Sequence, residues 1–269
     1  MDEQLFRERS NHIVEFADKA SEIVDGVIAY SWQQVLVCEN VIRTEGIASE
    51  EEMLTVLTST SDFINEQNSI VLAIDRSGKY YSSDENIGCF QQTELLAAQA
   101  GEKQMFVSEI PHNTESSYFI FLKRLERPIF FGTDSGEITH LVLAVDIEEM
   151  REKIAVNGFG DQCYTYLVNK DGRRLYKHTY ANHFIEGQNI LHAFEDYKIV
   201  HGGSYEEFKY ALEQGYNTVL EFAYTEEDGK EQKCFVASAA VATQNWQILL
   251  FVPSDVLGAS ARVLLHETI

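Results

Sequence analysis

The stretch from Phe6 to Ile42 contains no proline and keeps one periodicity from end to end, and it restricts the possible folds of this chain more than any other segment. Ile13, Phe16, Ala20, Ile23, Val27, Tyr30, Val37 and Val41 recur on alternating three- and four-residue steps, interrupted only by polar Gln34. That spacing predicts one helix with an apolar stripe down one side. At about 1.5 Å per residue the helix would be roughly 55 Å long. One small domain cannot cover such a stripe, so the helix must span two stacked domains or pair with another helix. A break near Gly26 is the alternative, since glycine costs about 1 kcal/mol in a helix interior.

The rest of the chain has the texture of an α+β protein. An acidic linker, Thr44 to Glu52, leads to a second helical segment from Met53 to about Gln67, with Met53, Leu54, Leu57 and Ile64 as its apolar face. Ser69 to Ile74 reads as a strand, Asp75 to Gly78 as a turn, and Lys79 to Tyr81 as the return strand of a hairpin. Glu94 to Ala100 is helix-prone, and Met105 to Ser108 leads into a polar loop around Pro111. Ser117 to Leu125 and Ile138 to Val145 are two more strands, joined by a turn at Gly132 to Gly136, and Asp146 opens a short helix over Ile147 to Ile154. Asn157, Gly158 and Gly160 mark a linker.

Beyond that linker the order recurs. Tyr164 to Val168 is a strand, and Asn169 to Gly172 repeats the D/N-x-x-G turn 94 positions later. Arg173 to Tyr176 repeats the basic-then-aromatic return. A polar and helical segment, His178 to Gly215, precedes strands at Thr218 to Tyr224, Gln232 to Ala240 and Trp246 to Val252. Ser254 can cap a closing helix from Asp255 to about His266. Two α+β units therefore follow one long helix.

Charge narrows the partners. A formal net charge of −22 opposes binding to nucleic acid or to an anionic membrane surface. Neutral, cationic or small partners remain. No window holds the roughly 18 apolar residues needed to cross a bilayer, and the first ten residues are too charged for a signal peptide. Cys38, Cys89, Cys163 and Cys234 are too scattered for a zinc cluster or a disulfide framework, and their redox state is open.

Chemical motifs are few. Asp134-Ser135-Gly136 occurs once, between two strands, where it is ordinary turn chemistry and not half of an aspartic-protease pair. His178, His183, His192 and His201 with Glu186 are zinc-ligand types, but their spacing suits no single helical face. Gly158-Phe159-Gly160 lacks the strand-then-helix context and third glycine of a dinucleotide loop. The sequence thus calls for no cofactor, no metal and no catalytic set.

The pattern of apolar strand, D-x-x-G-K-Y, helical insert, strand, P-I, glycine turn and L-V-L-A-V-D-I, with a second PAS-like unit ending W-Q-I-L-L-F-V-P, resembles the double-Cache sensor modules of bacterial membrane receptors. The resemblance covers essentially the whole chain. It implies a long N-terminal helix followed by two PAS-like (Cache) units, each an antiparallel sheet flanked by helices. It divides the chain into 1–68 (two helices), 69–156 (membrane-distal unit), 157–254 (membrane-proximal unit) and 255–269 (a helix toward a transmembrane segment). The implied role is an extracytoplasmic domain, flanked by transmembrane helices and able to dimerise through the N-terminal helix, that binds a small molecule in its distal unit. Output would pass to a diguanylate cyclase, histidine kinase or chemotaxis signalling domain, and the domain itself would not be an enzyme.

In amino-acid-binding members of that family the aspartate ending the distal unit's last strand contacts the ligand amine, and Asp146 matches it. Asp146 followed by Glu149 is also a D-x-x-E helix cap. The Y-x-x-x-x-R-x-W-Y cluster of those members is absent from Asn86 to Phe106. Tyr81, Tyr118, Phe121 and Lys123 complete the expected ligand-binding set. Strand alternation forbids Tyr118 and Lys123 a common face, so that set cannot all line one pocket. A partner-protein module with an exposed apolar patch in place of a pocket is the other reading.

Overall fold

The computed structural model describes residues 3–64, 69–90, 103–132, 136–154, 163–175, 189–195, 197–225 and 229–257. Helix α1 (Glu3–Thr44) runs unbroken through Gly26. The chain divides into two compact units, Val27–Lys153 and the combination of Met1–Gly26 with Ile154–Ile269, so α1 contributes to both. The two N-terminal helices are therefore not a segment of their own.

The buried side of α1 is Ser10, Ile13, Ala17, Ala20, Ser21 and Val24 in one unit and Ile28, Ser31, Val35, Cys38 and Ile42 in the other. Of the expected stripe only Ile13 and Ala20 are fully buried, so the rest is out of phase by about one residue. Ile23 and Tyr30 are exposed, and Phe16, Val27, Val37 and Val41 are half-buried. Small residues occupy much of the true seam, because a helix lying flat on a sheet needs close approach more than bulk.

In the Val27–Lys153 unit, helix α2 (Glu50–Ile64) precedes strands β1 (Ser69–Asp75), β2 (Lys79–Ser82), β3 (Ile87–Cys89), β4 (Lys103–Ile110), β5 (Asn113–Phe131) and β6 (Gly136–Asp146), and helix α3 (Ile147–Ile154) closes it. The strands form one antiparallel sheet in the order β3-β2-β1-β6-β5-β4. Two expectations change. Met105 to Ser108 lies inside a full strand, with Pro111 and His112 in the tight turn to β5, and β5 extends well past Leu125.

In the other unit, β7 (Tyr164–Asn169), helix α4 (Ile190–Glu195), β8 (Lys198–His201), helix α5 (Tyr205–Gln214), β9 (Thr218–Thr225), β10 (Glu231–Val241) and β11 (Trp246–Pro253) build an antiparallel sheet ordered β7-β11-β10-β9-β8. Its aromatic core, including Tyr166, Phe194, Phe208, Phe222 and Phe251, lies under α4 and α5. The other face receives α1. The Ser21 hydroxyl donates to the Ala240 carbonyl, and Asp25 accepts from the Ala242 and Thr243 amides at 2.9 and 3.0 Å. A capping box formed by Ser204 and Glu207 starts α5, and Gly215 ends it at φ 72°.

The sequence repeat is a repeat of atoms. Asp75 Oδ1 accepts from the amides of Ser77 and Lys79 at 2.7 and 2.9 Å, and Asn169 Oδ1 accepts from those of Asp171 and Arg173 at 3.0 and 2.9 Å. Each turn ends in a glycine of positive φ, Gly78 at 92° and Gly172 at 75°, the region that only glycine enters freely. The return strand differs: beyond Asn169, Arg173 and Arg174 make only isolated bridges.

Candidate ligand site

Alternation along the Val27–Lys153 sheet sorts the expected site residues onto two faces. The register pairs Tyr118 with Asp146, Ile120 with Ala144 and Leu122 with Val142, and Val142 in turn with Leu72. Tyr118 shares a buried cluster with Leu72, Ile74, Tyr80, Ile110, Ile120, Leu122, Val142 and Ala144, and Ile70 and Phe90 pack against it. This face is an apolar floor with Tyr118 and Asp146 at one end.

Tyr81, Phe121 and Lys123 belong to the opposite face, which α1 and α2 cover, so they do not join Tyr118 and Asp146. Phe121 meets the Trp32 ring edge-on at 5.4 Å. Lys123 is buried and paired with Glu39 of α1. Tyr81 donates its hydroxyl to Glu50 of α2 at 2.8 Å, and its ring meets Phe131 edge-on at 5.4 Å. These three side chains fasten helices to the sheet. Burial alone would raise the Glu39 carboxyl, but hydrogen bonds from Lys123 and Arg43 outweigh it and hold the carboxyl below its ordinary value.

Sequence reasoning missed most of the polar group gathered at the Tyr118 end. His112, in the β4–β5 turn, places Nδ1 3.0 Å from the Tyr80 hydroxyl and Nε2 2.8 Å from Asp84 Oδ2. A carboxylate only accepts, so in the neutral imidazole Nε2 carries the proton and Nδ1 accepts from Tyr80. Ser82 donates to Asp84, and Asn113 donates to the Tyr118 hydroxyl at 2.8 Å. Tyr80 lies flat over Gly88: a β-carbon there would be 2.4 Å from its hydroxyl oxygen. The available signal was the Tyr80-Tyr81 pair, since adjacent strand residues point to opposite faces and only one can face the helices.

The electrostatics are acidic. Burial raises the Tyr118 phenol, and the carboxylates of Asp146 and Asp84 raise it further. Burial also favours protonated Asp84, yet hydrogen bonds from Ser82 and His112 prevail and its carboxyl stays below the usual range. Asp146 Oδ1 accepts from the amides of Glu148 and Glu149 at 2.8 and 3.3 Å, which is the helix cap of α3. Two carboxyl groups and two phenols at the edge of an apolar floor suit a cationic group on a small molecule.

Among the described residues the remaining motifs supply no competing site. His178, His183, Glu186, Asp134, Ser135 and Gly158 to Gly160 lie outside the described residues, as does the helix expected beyond Leu257. His192 and His201 are on separate elements, α4 and β8. Among the described residues no group of three or more His, Cys, Asp or Glu could hold a metal ion. No disulfide joins Cys38, Cys89, Cys163 and Cys234 to one another, and burial pushes the Cys38 thiol up to about 12. No described helix is long and apolar enough to cross a membrane.

No protein-family model matches the chain, and no curated protein matches it in sequence. Solved structures do match it in fold. The extracellular domain assigned to the histidine kinase mmHK1S-Z3 superposes with a TM-score of 0.60 at 14% identity over 94% of this chain and 97% of that one. The ligand-binding domain of the Pseudomonas aeruginosa amino acid chemoreceptor PctB, in complex with L-Arg, gives 0.60 at 15% identity, covering 96% and 91%. That of the Campylobacter jejuni chemoreceptor Tlp3, in complex with L-norvaline, gives 0.59 at 11%, covering 95% of each chain. The first is an extracellular domain and the other two are ligand-binding domains. The long helix and two antiparallel sheets of this chain thus share the double-Cache fold of these extracellular and ligand-binding domains.

Proposed function

We propose that this chain is the extracytoplasmic ligand-sensing domain of a transmembrane receptor of the histidine kinase, chemoreceptor or diguanylate cyclase type. Its ligand is a small molecule with a protonated amine, bound on the Tyr118–Asp146 face of the Val27–Lys153 unit, which is the membrane-distal one. The observation behind this reading is the pairing of Asp146 with Tyr118 in register, with Asp84 close enough to act on the same phenol. The amine would take Asp146 and Asp84 as counter-charges, the phenols would orient it, and its apolar part would lie along Ile120, Leu122 and Val142. Signal transmission along α1 then requires the ligand to bind two arrangements of the unit with different affinity. Flanking transmembrane helices in the full-length receptor belong to the same proposal.

A thermal-shift screen over amines, amino acids, small carboxylates and neutral compounds tests it. A binder at 100 times its Kd stabilises the fold by about 2.7 kcal/mol. The expected hits carry an ammonium group, and Asp146→Asn abolishes their shift while leaving the ligand-free melting temperature nearly unchanged, because asparagine caps a helix as well as aspartate. Hits confined to carboxylates, or an undiminished shift in the variant, would remove Asp146 from the site.

The exposed row of α1 supports a second part of the proposal. Ile23 and Tyr30 are exposed at a seven-residue interval, with half-buried Phe16 and Val37 continuing the row on either side. A second copy of the chain is the partner whose matching row has this same period.

A further inference from the structure

Glu221 is the one carboxylate among the described residues that is fully buried. It projects from β9 toward α1, at the face away from the aromatic core, and neither the fold nor the ligand site explains it. A buried carboxylate is tolerated only when its oxygens are matched. Each oxygen of Glu221 has a partner from a different part of the chain: Oε2 lies 2.7 Å from His201 Nδ1 of β8, and Oε1 accepts from the Ser254 hydroxyl, just after β11, at 2.8 Å. In register Glu221 stands between Phe235 and His201. Phe6, from the second turn of α1, stacks on both of those neighbours, with centroids 5.7 and 5.2 Å away, so its ring spans the row that contains Glu221. Arg9, one turn further on, donates to the Ser254 carbonyl at 3.4 Å. A β-carbon at Gly202 would approach the Phe6 ring to 3.1 Å, so the ring sits tightly there.

We propose that Glu221 is a catch that makes the seating of the first turns of α1 conditional on the position of Ser254, where the chain leaves the sheet. With both partners in place the carboxylate is satisfied under Phe6. When either partner withdraws, an unmatched buried charge remains, and it reaches water by displacing the Phe6 cover. Movement at the exit from β11 thereby loosens the start of α1, and lifting of α1 opens the carboxylate to solvent and weakens its hold on Ser254. A neutral side chain in place of Glu221 packs the same elements but has no charge to expose, so it severs the coupling.

Hydrogen exchange followed by mass spectrometry on the whole chain separates such a catch from ordinary packing. Ser254→Ala and His201→Ala are each expected to speed exchange over Phe6–Ile13 at least tenfold, with exchange in β1 and β6 unchanged. In a Glu221→Gln background Ser254→Ala should change that exchange by less than about twofold, and His201→Ala, which also removes a ring stacked on Phe6, should keep only a minor part of its effect. Should Glu221→Gln fold poorly, Glu221→Met serves as the neutral background. Equal acceleration in the charged and neutral backgrounds would show that only packing of Ser254 and His201 matters, and no acceleration in the charged background would show that the carboxylate does not need them. Either result overturns the proposal.

Discussion

His140 shows how one side chain can set the response of a sheet to acid. It is buried on β6, its Nδ1 is 2.9 Å from the Thr139 hydroxyl, and its Nε2 has no hydrogen-bond partner among the described residues. Burial, with a smaller contribution from the Arg124 charge, lowers its pKa from 6.5. The unfolded imidazole therefore takes up a proton near pH 6.5 while the folded one stays neutral, so stability falls as pH drops from about 7 toward the folded value. One proton gives a slope of at most about 1.4 kcal/mol per pH unit. Asp84 acts lower: its depressed pKa contributes stability above about pH 3.8 that is lost on further acidification. Urea denaturation at pH 7, 6 and 5 should show a declining stability for the wild type and a flatter profile for His140→Gln. Parallel profiles would mean that His140 is protonated in the folded state as easily as in the unfolded one.

Among the elements, α1 marks the limit of what periodicity can tell. The steps of three and four were legible, and with them the helix, its length and its span of two units. The phase was not, because the helix carries two adjacent rows of the same period. The row with larger side chains, Phe16, Ile23 and Tyr30, drew the eye, while the row that packs includes Ser10, Ala17, Ser21 and Ser31. Strand alternation did better: it established from residue numbers alone that Tyr118 and Lys123 could not share a face. What no spacing could supply was the meeting of Tyr80, Asp84 and His112, which depends on a turn folding back across the sheet. The leftover row on α1 is open to measurement. Burying Ile23 or Tyr30 against a second copy contributes on the order of 2 kcal/mol each. Sedimentation of Tyr30→Glu and Ile23→Glu should show dimer dissociation constants raised at least tenfold over wild type, whereas identical sedimentation of all three proteins would exclude this row as an interface.

At the scale of the whole molecule, two cores share one helix and a repeated turn, and the shared helix is where their stabilities can be linked. The cluster around Phe222 and Phe251 and the one around Tyr118 and Val142 belong to different units, and α1 is divided between those units after Gly26. Helical hydrogen bonds cross that division at its weakest residue, since glycine gives the unfolded chain more freedom than any other. A β-carbon on Gly26 would meet nothing within 4 Å, and its φ is not in the left-handed region, so alanine can be introduced without strain. Gly26→Ala should therefore stabilise α1 by up to about 1 kcal/mol. If the helix couples the two units, calorimetry will show their unfolding drawn together into a narrower transition at higher temperature. If it does not, the variant will raise the melting of one unit alone or of neither, and a signal that starts in one sheet would need a route to the other that bypasses α1.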